Sequence, residues 1–294
     1  MRKGFLLFTL AVSMLGFSSP KAQACDMHGN SGIVEDNDLW LGVDYKSDNG
    51  MTEELFDQIL DEVEEIYTPI ISNMGKRLDV QRNWSDGTVN AYAQQVGNSW
   101  RIMMFGGLAR HETVTPDAFA LVACHELGHH LGGLPKNRNW WGGNSWASNE
   151  GQSDYFGTMK CFRKYIEDHD NERIVKNMDV PAYATQKCMD NFSHPADIAM
   201  CERSSMAGLS LGNLFGALRN SDKPLKFDTP DPNVVSRTNN GHPAPQCRVD
   251  TYFQASICSV DHYADVSDSD INQGVCAREL GFEDGLRPLC WFKP

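Results

Sequence analysis

Residues 125–129, with the sequence His-Glu-Leu-Gly-His, carry the side chains of a catalytic metal site at helical spacing. On an α-helix, residues four apart differ by about 40° around the axis, so His125 and His129 share one face. Glu126 lies beside that face, where its carboxylate can act as a general base on a water molecule that a metal ion activates. His130 points about 140° away from His125 and is predicted not to be a ligand.

A catalytic zinc site uses three protein ligands, so this histidine pair needs one more. The segment Asn149-Glu-Gly-Gln-Ser-Asp follows the predicted metal helix after one loop. One helical turn separates Glu150 from Asp154, so both carboxylates can face the histidines. We expect Glu150 to be the third ligand and Asp154 to accept a hydrogen bond from the outer nitrogen of a ligand histidine. The alternative is an acidic helix N-terminus with no metal role, which the helix dipole also favours.

Two helices are predicted to hold these residues. Thr115 as N-cap, Pro116 at the first helical position and Gly132 as a stop signal frame the metal helix. A second helix is predicted at about residues 149–168. Both candidate ligand segments therefore lie on regular elements rather than in loops.

Upstream, the sequence predicts a helix and a β-hairpin. Apolar residues recur at helical spacing after Thr52, which is suited to be the N-cap. Residues 88–95 and 99–105 resemble two strands joined by a Val-Gly-Asn turn. Either Asn90–Gln95 or Trp100–Phe105 is expected to be the edge strand that pairs with an extended substrate.

The remaining regions give weaker signals. Residues 25–50 are predicted to be an irregular lead-in, and the chain is predicted to be largely helical up to about Asn220, then loop-rich over residues 221–294. Residues 137–147 are predicted to form a loop whose tryptophans either line the cleft or pack in the core. They are Trp140, Trp141 and Trp146.

The N-terminus predicts export. Arg2 and Lys3 precede an apolar run from Phe5 to Phe17, and residues 22–24 form a small-x-small cleavage site. We therefore expect a signal peptide over residues 1–24, no membrane span, and a periplasmic or secreted product. The remainder is predicted to be one catalytic domain, 25–294, with an N-terminal part, 25–133, and a C-terminal part, 134–294.

Charge and cysteine usage agree with export. Residues 1–24 carry three cations and no acid, so the net charge of −13 becomes −16 for the remainder. Such an acidic chain is unsuited to nucleic acid or an anionic membrane. In an oxidising compartment most of the nine cysteines would pair, with one left over. Cys124 is expected to be either half of a disulfide or the odd buried thiol, and lipid anchoring at Cys25 is disfavoured because Lys21 and Gln23 make a poor lipobox.

The HExxH pattern followed by Glu150 and Asp154 resembles the gluzincin metallopeptidases, whose third zinc ligand is a glutamate from a following helix. A closer resemblance is to the soluble relatives of the HtpX-like and CAAX prenyl proteases. It is carried by residues 86–168, with the Asn-Ala-Tyr strand segment at residues 90–92, and by a His-Pro-x-x-x-x-Arg element. That element begins at His242 and ends at Arg248.

The resemblance implies a fold and roles for further residues. It implies an α+β, zincin-type fold, in which a small mixed sheet with a hairpin edge strand packs on the metal helix. A mostly helical, disulfide-bearing C-terminal part follows. It also implies that His242 and Arg248 stabilise the oxyanion. Tyr155 is a further possible donor, although a packed aromatic is the expected role.

These features predict an exported zinc-dependent endopeptidase with one catalytic Zn²⁺ and a protein or peptide substrate. Two other functions stay open: a zinc amidase acting on cell-wall cross-links, and a zinc-containing binding protein without activity. Glu126 disfavours the binding protein, because a purely structural zinc site needs no such base. The sequence does not indicate an oligomeric state.

Overall fold

The computed structural model describes residues 32–294, so the predicted signal peptide and Cys25 lie outside the described residues. The described chain is α+β, as expected, with a three-stranded sheet, a separate two-stranded sheet and a larger number of helices. Within residues 32–294, no helix combines the length and apolarity needed to cross a membrane.

Helix α1 spans Glu53–Asn73 and begins at the predicted cap. The hydroxyl of Thr52 accepts a hydrogen bond from the main-chain nitrogen of Leu55 at 3.2 Å, which satisfies one of the free donors of the first turn. Its apolar face is buried in the main core of the protein. The buried residues of α1 are Phe56, Ile59, Leu60, Val63, Tyr67 and Ile71.

The main sheet consists of β1 (Arg77–Asn83), β2 (Ala91–Val96) and β3 (Ser99–Phe105) in the order β1-β3-β2. The hairpin of β2 and β3 is confirmed, and β3 also pairs with β1 in parallel, so the sheet is mixed. Because β3 is central, the expectation that Trp100–Phe105 forms an edge strand was wrong. Strand β2 is an edge strand, which leaves Asn90–Gln95 as the candidate for pairing with a substrate.

Helix α2 (Gly106–Ala109) turns the chain from the sheet into α3, which spans Pro116–Leu131. Thr115 caps α3 by accepting from the main-chain nitrogen of Ala118, and Gly132 follows the last turn, as predicted. Nearly all of α3 is buried, since the sheet lies on one side and later helices on the other. The metal helix is therefore the central element of the fold.

Strands β4 (Lys136–Arg138) and β5 (Asn144–Ser148) form a hairpin where a loop was predicted. The tryptophans do not form one group. Trp140 and Trp141 are 85% and 90% exposed at the tip of this hairpin, whereas Trp146 packs against His130. Core packing therefore does not describe the two exposed tryptophans, and their place at a cleft stays a prediction.

The predicted second helix is present as three consecutive segments. These are α4 (Glu150–Phe156), a π-helical turn (Gly157–Phe162) and α5 (Arg163–Ile166). The side chain of Asn149 caps α4 by accepting from the main-chain nitrogen of Gln152. The π-helical turn, which no local pattern predicted, packs against α3.

Helices α6 (Asn171–Val175), α7 (Ala182–Asn191) and α8 (Pro195–Leu218) confirm the helical region. The region after residue 220 contains a 13-residue helix, α9 (Pro245–Ile257), and a 3₁₀ turn at Arg278–Leu280. The remainder of residues 221–294 has no regular element, so the loop-rich prediction holds for most of this region, and α9 is the exception. Helix α9 is stabilised by packing against α8 rather than by a strong local pattern.

Four disulfides join the eight cysteines of the described residues. Cys124 pairs with Cys161, so it is half of a disulfide and not the odd thiol. This bond ties α3, directly before His125, to the π-helical turn. The other pairs, all in the C-terminal half, are Cys188–Cys201, Cys247–Cys290 and Cys258–Cys276.

Lys160 is buried in the π-helical turn, where its ammonium group donates to the main-chain oxygen of Asp261. Burial, with the charges of Arg163 and Lys164, lowers the pKa of Lys160 to about 7. The unfolded lysine keeps its ordinary pKa near 10.5, so between these values the unfolded state binds more protons. The contribution of Lys160 to the free energy of unfolding therefore rises with pH above about 7 and is constant below that pH.

We expect the free energy of unfolding of the wild type, minus that of Lys160→Met, to increase by up to about 1.4 kcal/mol per pH unit above pH 7. Urea titrations at about pH 7, 8 and 9 measure this difference. A difference that stays flat or falls with pH would show that Lys160 is not held neutral by the fold.

Candidate metal centre

The three predicted ligands meet between α3 and the start of α4. The Nε2 atom of His125 lies 3.3 Å from one carboxylate oxygen of Glu150, and the Nε2 atom of His129 lies 3.6 Å from the other. All three side chains are buried, and their ligand atoms lie within 4.8 Å of one another. This group could hold a metal ion.

The outer nitrogens of both histidines are fixed by hydrogen bonds. His125 Nδ1 lies 2.7 Å from Asp154 Oδ1, which places Asp154 where the sequence predicted it. His129 Nδ1 lies 2.8 Å from the main-chain oxygen of Ser148. Both partners accept, so each ring carries a proton on Nδ1, which leaves Nε2 as the atom that would bind a metal ion. The Ser148 contact uses main chain and had no sequence signal.

Electrostatics at this site favour a bound cation. Burial alone opposes charge on His125, yet the carboxylates of Asp154 and Glu150 outweigh it and raise the pKa of His125 to about 9. Burial lowers the pKa of His129 to about 4, which keeps that imidazole neutral. Burial also opposes charge on Glu150, but His242 and the two other histidines hold its pKa well below the usual value. The two carboxylates of Glu150 and Asp154 therefore stabilise positive charge among the histidines, which a bound cation would also supply.

Glu126 is fully buried beside these ligands. Neither of its carboxylate oxygens has a hydrogen-bond partner among residues 32–294. Burial, followed by the charge of Glu150, raises the pKa of Glu126 to about 8 despite the opposing effect of His125. A buried carboxylate without a partner costs free energy, so its presence indicates a ligand or a reactant at this position.

Two side chains of α9 donate hydrogen bonds to Asp154. Arg248 donates to both of its carboxylate oxygens, at 2.8 and 2.7 Å, and the hydroxyl of Tyr252 donates to Oδ1 at 2.6 Å. Burial raises the pKa of Asp154, but Arg248 and His125 outweigh it, so the carboxylate stays ionised. The guanidinium of Arg248 thus lies on Asp154, not on a reacting group. Its predicted role at an oxyanion stays untested, and its contacts are those of a positioning residue.

His242 does reach the centre. Its Nε2 atom lies 3.4 Å from a carboxylate oxygen of Glu150 and 2.8 Å from the main-chain oxygen of Gly32. Beside it is an open pocket whose lining includes Val34 and Phe215 of α8. The position of His242 is compatible with the role that the resemblance implies, which stays a prediction.

Two other aromatic residues lie away from the centre. His130 is stacked between Trp100 and Trp146, with ring centroids 5.2 and 4.8 Å away, and its Nε2–H donates to the main-chain oxygen of Arg101. It is not part of the metal-ligating group, as predicted. The hydroxyl of Tyr155 donates to the main-chain oxygen of Gly285, so Tyr155 is a packed aromatic.

His129→Gln is expected to lower zinc affinity by more than about 100-fold, because it removes a ligand rather than an outer partner. The matched variant His130→Gln makes the same change one residue along and should keep one zinc per chain. Zinc content after dialysis and competition with a chromogenic chelator measure both. Equal zinc loss from the two variants would show that the ion binds elsewhere.

The donor set of two imidazoles and a carboxylate is one that catalytic zinc sites use. A second group, Asp231 with Cys247 and Cys290, offers no thiolate because its cysteines form a disulfide. No protein-family model matches the sequence, and neither a curated protein nor a solved structure matches it.

Proposed function

We propose that this protein is an exported zinc-dependent endopeptidase of the gluzincin type, with a zincin-type fold, similar to the soluble relatives of the HtpX-like and CAAX prenyl proteases. One observation carries the proposal. The carboxylate of Glu126 is buried without a hydrogen-bond partner among the described residues, directly beside the convergence of His125, His129 and Glu150. A structural metal site would not need that carboxylate.

His125, His129 and Glu150 would hold the zinc ion. When bound, zinc supplies Lewis acidity, which activates a water molecule and polarises the scissile carbonyl. Glu126 takes the proton of the attacking water and returns it to the leaving nitrogen. Asp154 and the main-chain oxygen of Ser148 keep the two imidazoles in the required tautomer.

The surroundings supply substrate contacts. Strand β2 has an edge position beside α3, so an extended peptide can pair with it by main-chain hydrogen bonds. His242 lies close enough to Glu150 to donate to an oxyanion that forms at the centre. Arg248 acts through Asp154, because its hydrogen bonds keep the carboxylate in position to accept from His125.

The disulfides support export. Four of them join cysteines within the described residues, and such bonds persist in oxidising compartments rather than in the cytosol. A periplasmic or secreted location follows from these bonds together with the N-terminal sequence.

The test is product analysis by mass spectrometry. Zinc-loaded protein and the same protein stripped by a chelator are incubated with an unfolded protein, such as reduced casein, and separately with peptidoglycan fragments. Zinc-dependent cleavage of casein at internal peptide bonds is the expected result. Zinc-dependent cleavage of peptidoglycan cross-links alone would replace the proposal by an amidase, and zinc binding without any product would favour a binding protein.

A further inference from the structure

The segment Gly32–Val34 crosses the candidate active site, although the sequence predicts only an irregular lead-in here. Ile33 and Val34 are buried, whereas the next six residues, 35–40, are exposed. A short irregular segment is buried beside a catalytic centre only if specific contacts hold its main chain. Those contacts are made with two groups of residues, one at the beginning of β2 and one at the metal centre.

On the first side, the segment contacts the beginning of β2 through one main-chain hydrogen bond and through the side chain of Asn90. The main-chain nitrogen of Ile33 donates to the oxygen of Ala91 at 3.0 Å. The side-chain amide of Asn90 accepts from the nitrogen of Val34 at 3.3 Å and donates to its oxygen at 3.2 Å. Three main-chain groups of the segment are therefore satisfied at the edge where an extended substrate is expected to pair.

On the second side, the carbonyl groups of the segment accept hydrogen bonds from His242 and Arg248. The oxygen of Gly32 accepts from His242 Nε2 at 2.8 Å, and that nitrogen lies 3.4 Å from the ligand Glu150. The oxygen of Ile33 accepts from Arg248 at 2.6 Å. Two consecutive carbonyls of the segment therefore contact His242 and Arg248, and the first lies beside the nitrogen that is proposed to meet a substrate carbonyl.

Gly32 is required for this fit. Its φ of +99° is a conformation that L side chains rarely adopt, and a Cβ atom would lie 2.2 Å from Asn90 Oδ1 and 2.5 Å from the oxygen of Ala91. The main chain thus approaches β2 more closely than any other residue allows. Any substitution at position 32 must displace the segment or strain it.

We propose that Gly32–Val34 is an internal, substrate-like inhibitor, which occupies the peptide-binding edge of β2 and keeps the site closed until the segment is released. The inference rests on the proposed function, because the proposed function places the peptide substrate at this same edge of β2. The exposed residues 35–40 offer a point of release, since exposed chain is where proteolytic nicking concentrates. Cleavage there separates the segment from the body of the protein.

The test compares Gly32→Ala with Gly50→Ala in the full exported chain. Gly50 also has a positive φ, +77°, but a Cβ atom at this position would meet nothing within 4 Å, so the variant controls for backbone strain alone. Hydrogen–deuterium exchange at the amides of Ile33 and Val34 is the first measurement. Slow exchange in the wild type and in Gly50→Ala, and fast exchange in Gly32→Ala, is the expected result.

Two further measurements follow on the same zinc-loaded proteins. A synthetic peptide of residues 32–38 should bind Gly32→Ala but not the wild type, whose site already holds this sequence. Cleavage of fluorescent casein should be about 10-fold or more faster in Gly32→Ala, because the binding-competent fraction rises. Ile33→Ser, which removes a buried apolar side chain without backbone strain, should shift all three measurements in the same direction and replaces Gly32→Ala if that variant does not fold.

The outcomes separate this inference from the proposed function. Release of the amides and binding of the peptide, with no cleavage by any variant, would leave the inference standing and overturn the proposed activity. Equal cleavage by all variants despite fast exchange in Gly32→Ala would overturn the inference and leave the activity standing. Unchanged exchange, or no peptide binding after release, would also overturn the inference.

Discussion

Glu126→Gln is expected to lower kcat for peptide cleavage by about 10²- to 10⁴-fold, the usual contribution of a positioned general base. The glutamine keeps the volume of the side chain but cannot accept a proton from the attacking water. Glu126 is not one of the three residues that could hold the metal ion. The zinc content and the thermal midpoint of unfolding should therefore remain near those of the wild type. Steady-state kinetics on a fluorogenic peptide, with zinc measured on the same sample, test both statements.

A matched control is Glu202→Gln on α8. Glu202 is also buried, but its carboxylate accepts from the hydroxyl of Thr185, away from the metal centre. This variant should cleave peptides at nearly the wild-type rate. Full activity in Glu126→Gln would remove the proposed base, and parallel loss of zinc and activity would mean that Glu126 supports the metal instead.

Arg248→Met is expected to destabilise the protein by about 3–5 kcal/mol, because it leaves the buried carboxylate of Asp154 without its charge partner. The same change releases the acceptor that orients His125, so zinc affinity should fall by roughly 10- to 100-fold. Urea unfolding of the metal-free protein gives the first quantity, and chelator competition on the folded protein gives the second.

Arg203→Met separates these two effects. Arg203 makes a similar two-bond contact with Asp117, at 2.8 and 2.6 Å, in a buried position that does not contact the ligands. It should destabilise the protein by a comparable amount and leave zinc affinity nearly unchanged. Equal losses of zinc affinity in the two variants would show that the effect of Arg248 is general destabilisation rather than control of His125.

The residues of the metal centre were predictable because local geometry fixes most of them. The spacing of His125 and His129 places them on one helical face, and the caps at Thr115 and Asn149 mark where each ligand helix begins. Once the two helices are assigned, the carboxylate of Glu150 in the first turn of α4 can face little other than the histidine pair. The hairpin of β2 and β3 followed from alternation and a short turn in the same way.

Features that depend on tertiary contacts were missed. Strand β1 carries only two apolar residues in the sequence Arg-Leu-Asp-Val-Gln-Arg-Asn, and it forms because β3 offers a parallel partner. Helix α9 begins at a proline within a stretch rich in polar residues and is defined by packing on α8. The main chain of Val34 is held by Asn90, 56 residues later, and no pattern within the segment indicates its burial.

The position of Arg248 also determines when the centre can be completed. It reaches Asp154 from 94 residues later in the chain, and contacts between such distant residues form slowly because a long loop must close first. A chain delivered from its N-terminus presents both ligand helices before α9 exists. Asp154 gains its guanidinium partner only after residue 248 arrives, so the metal centre is completed later than the two helices that carry its ligands.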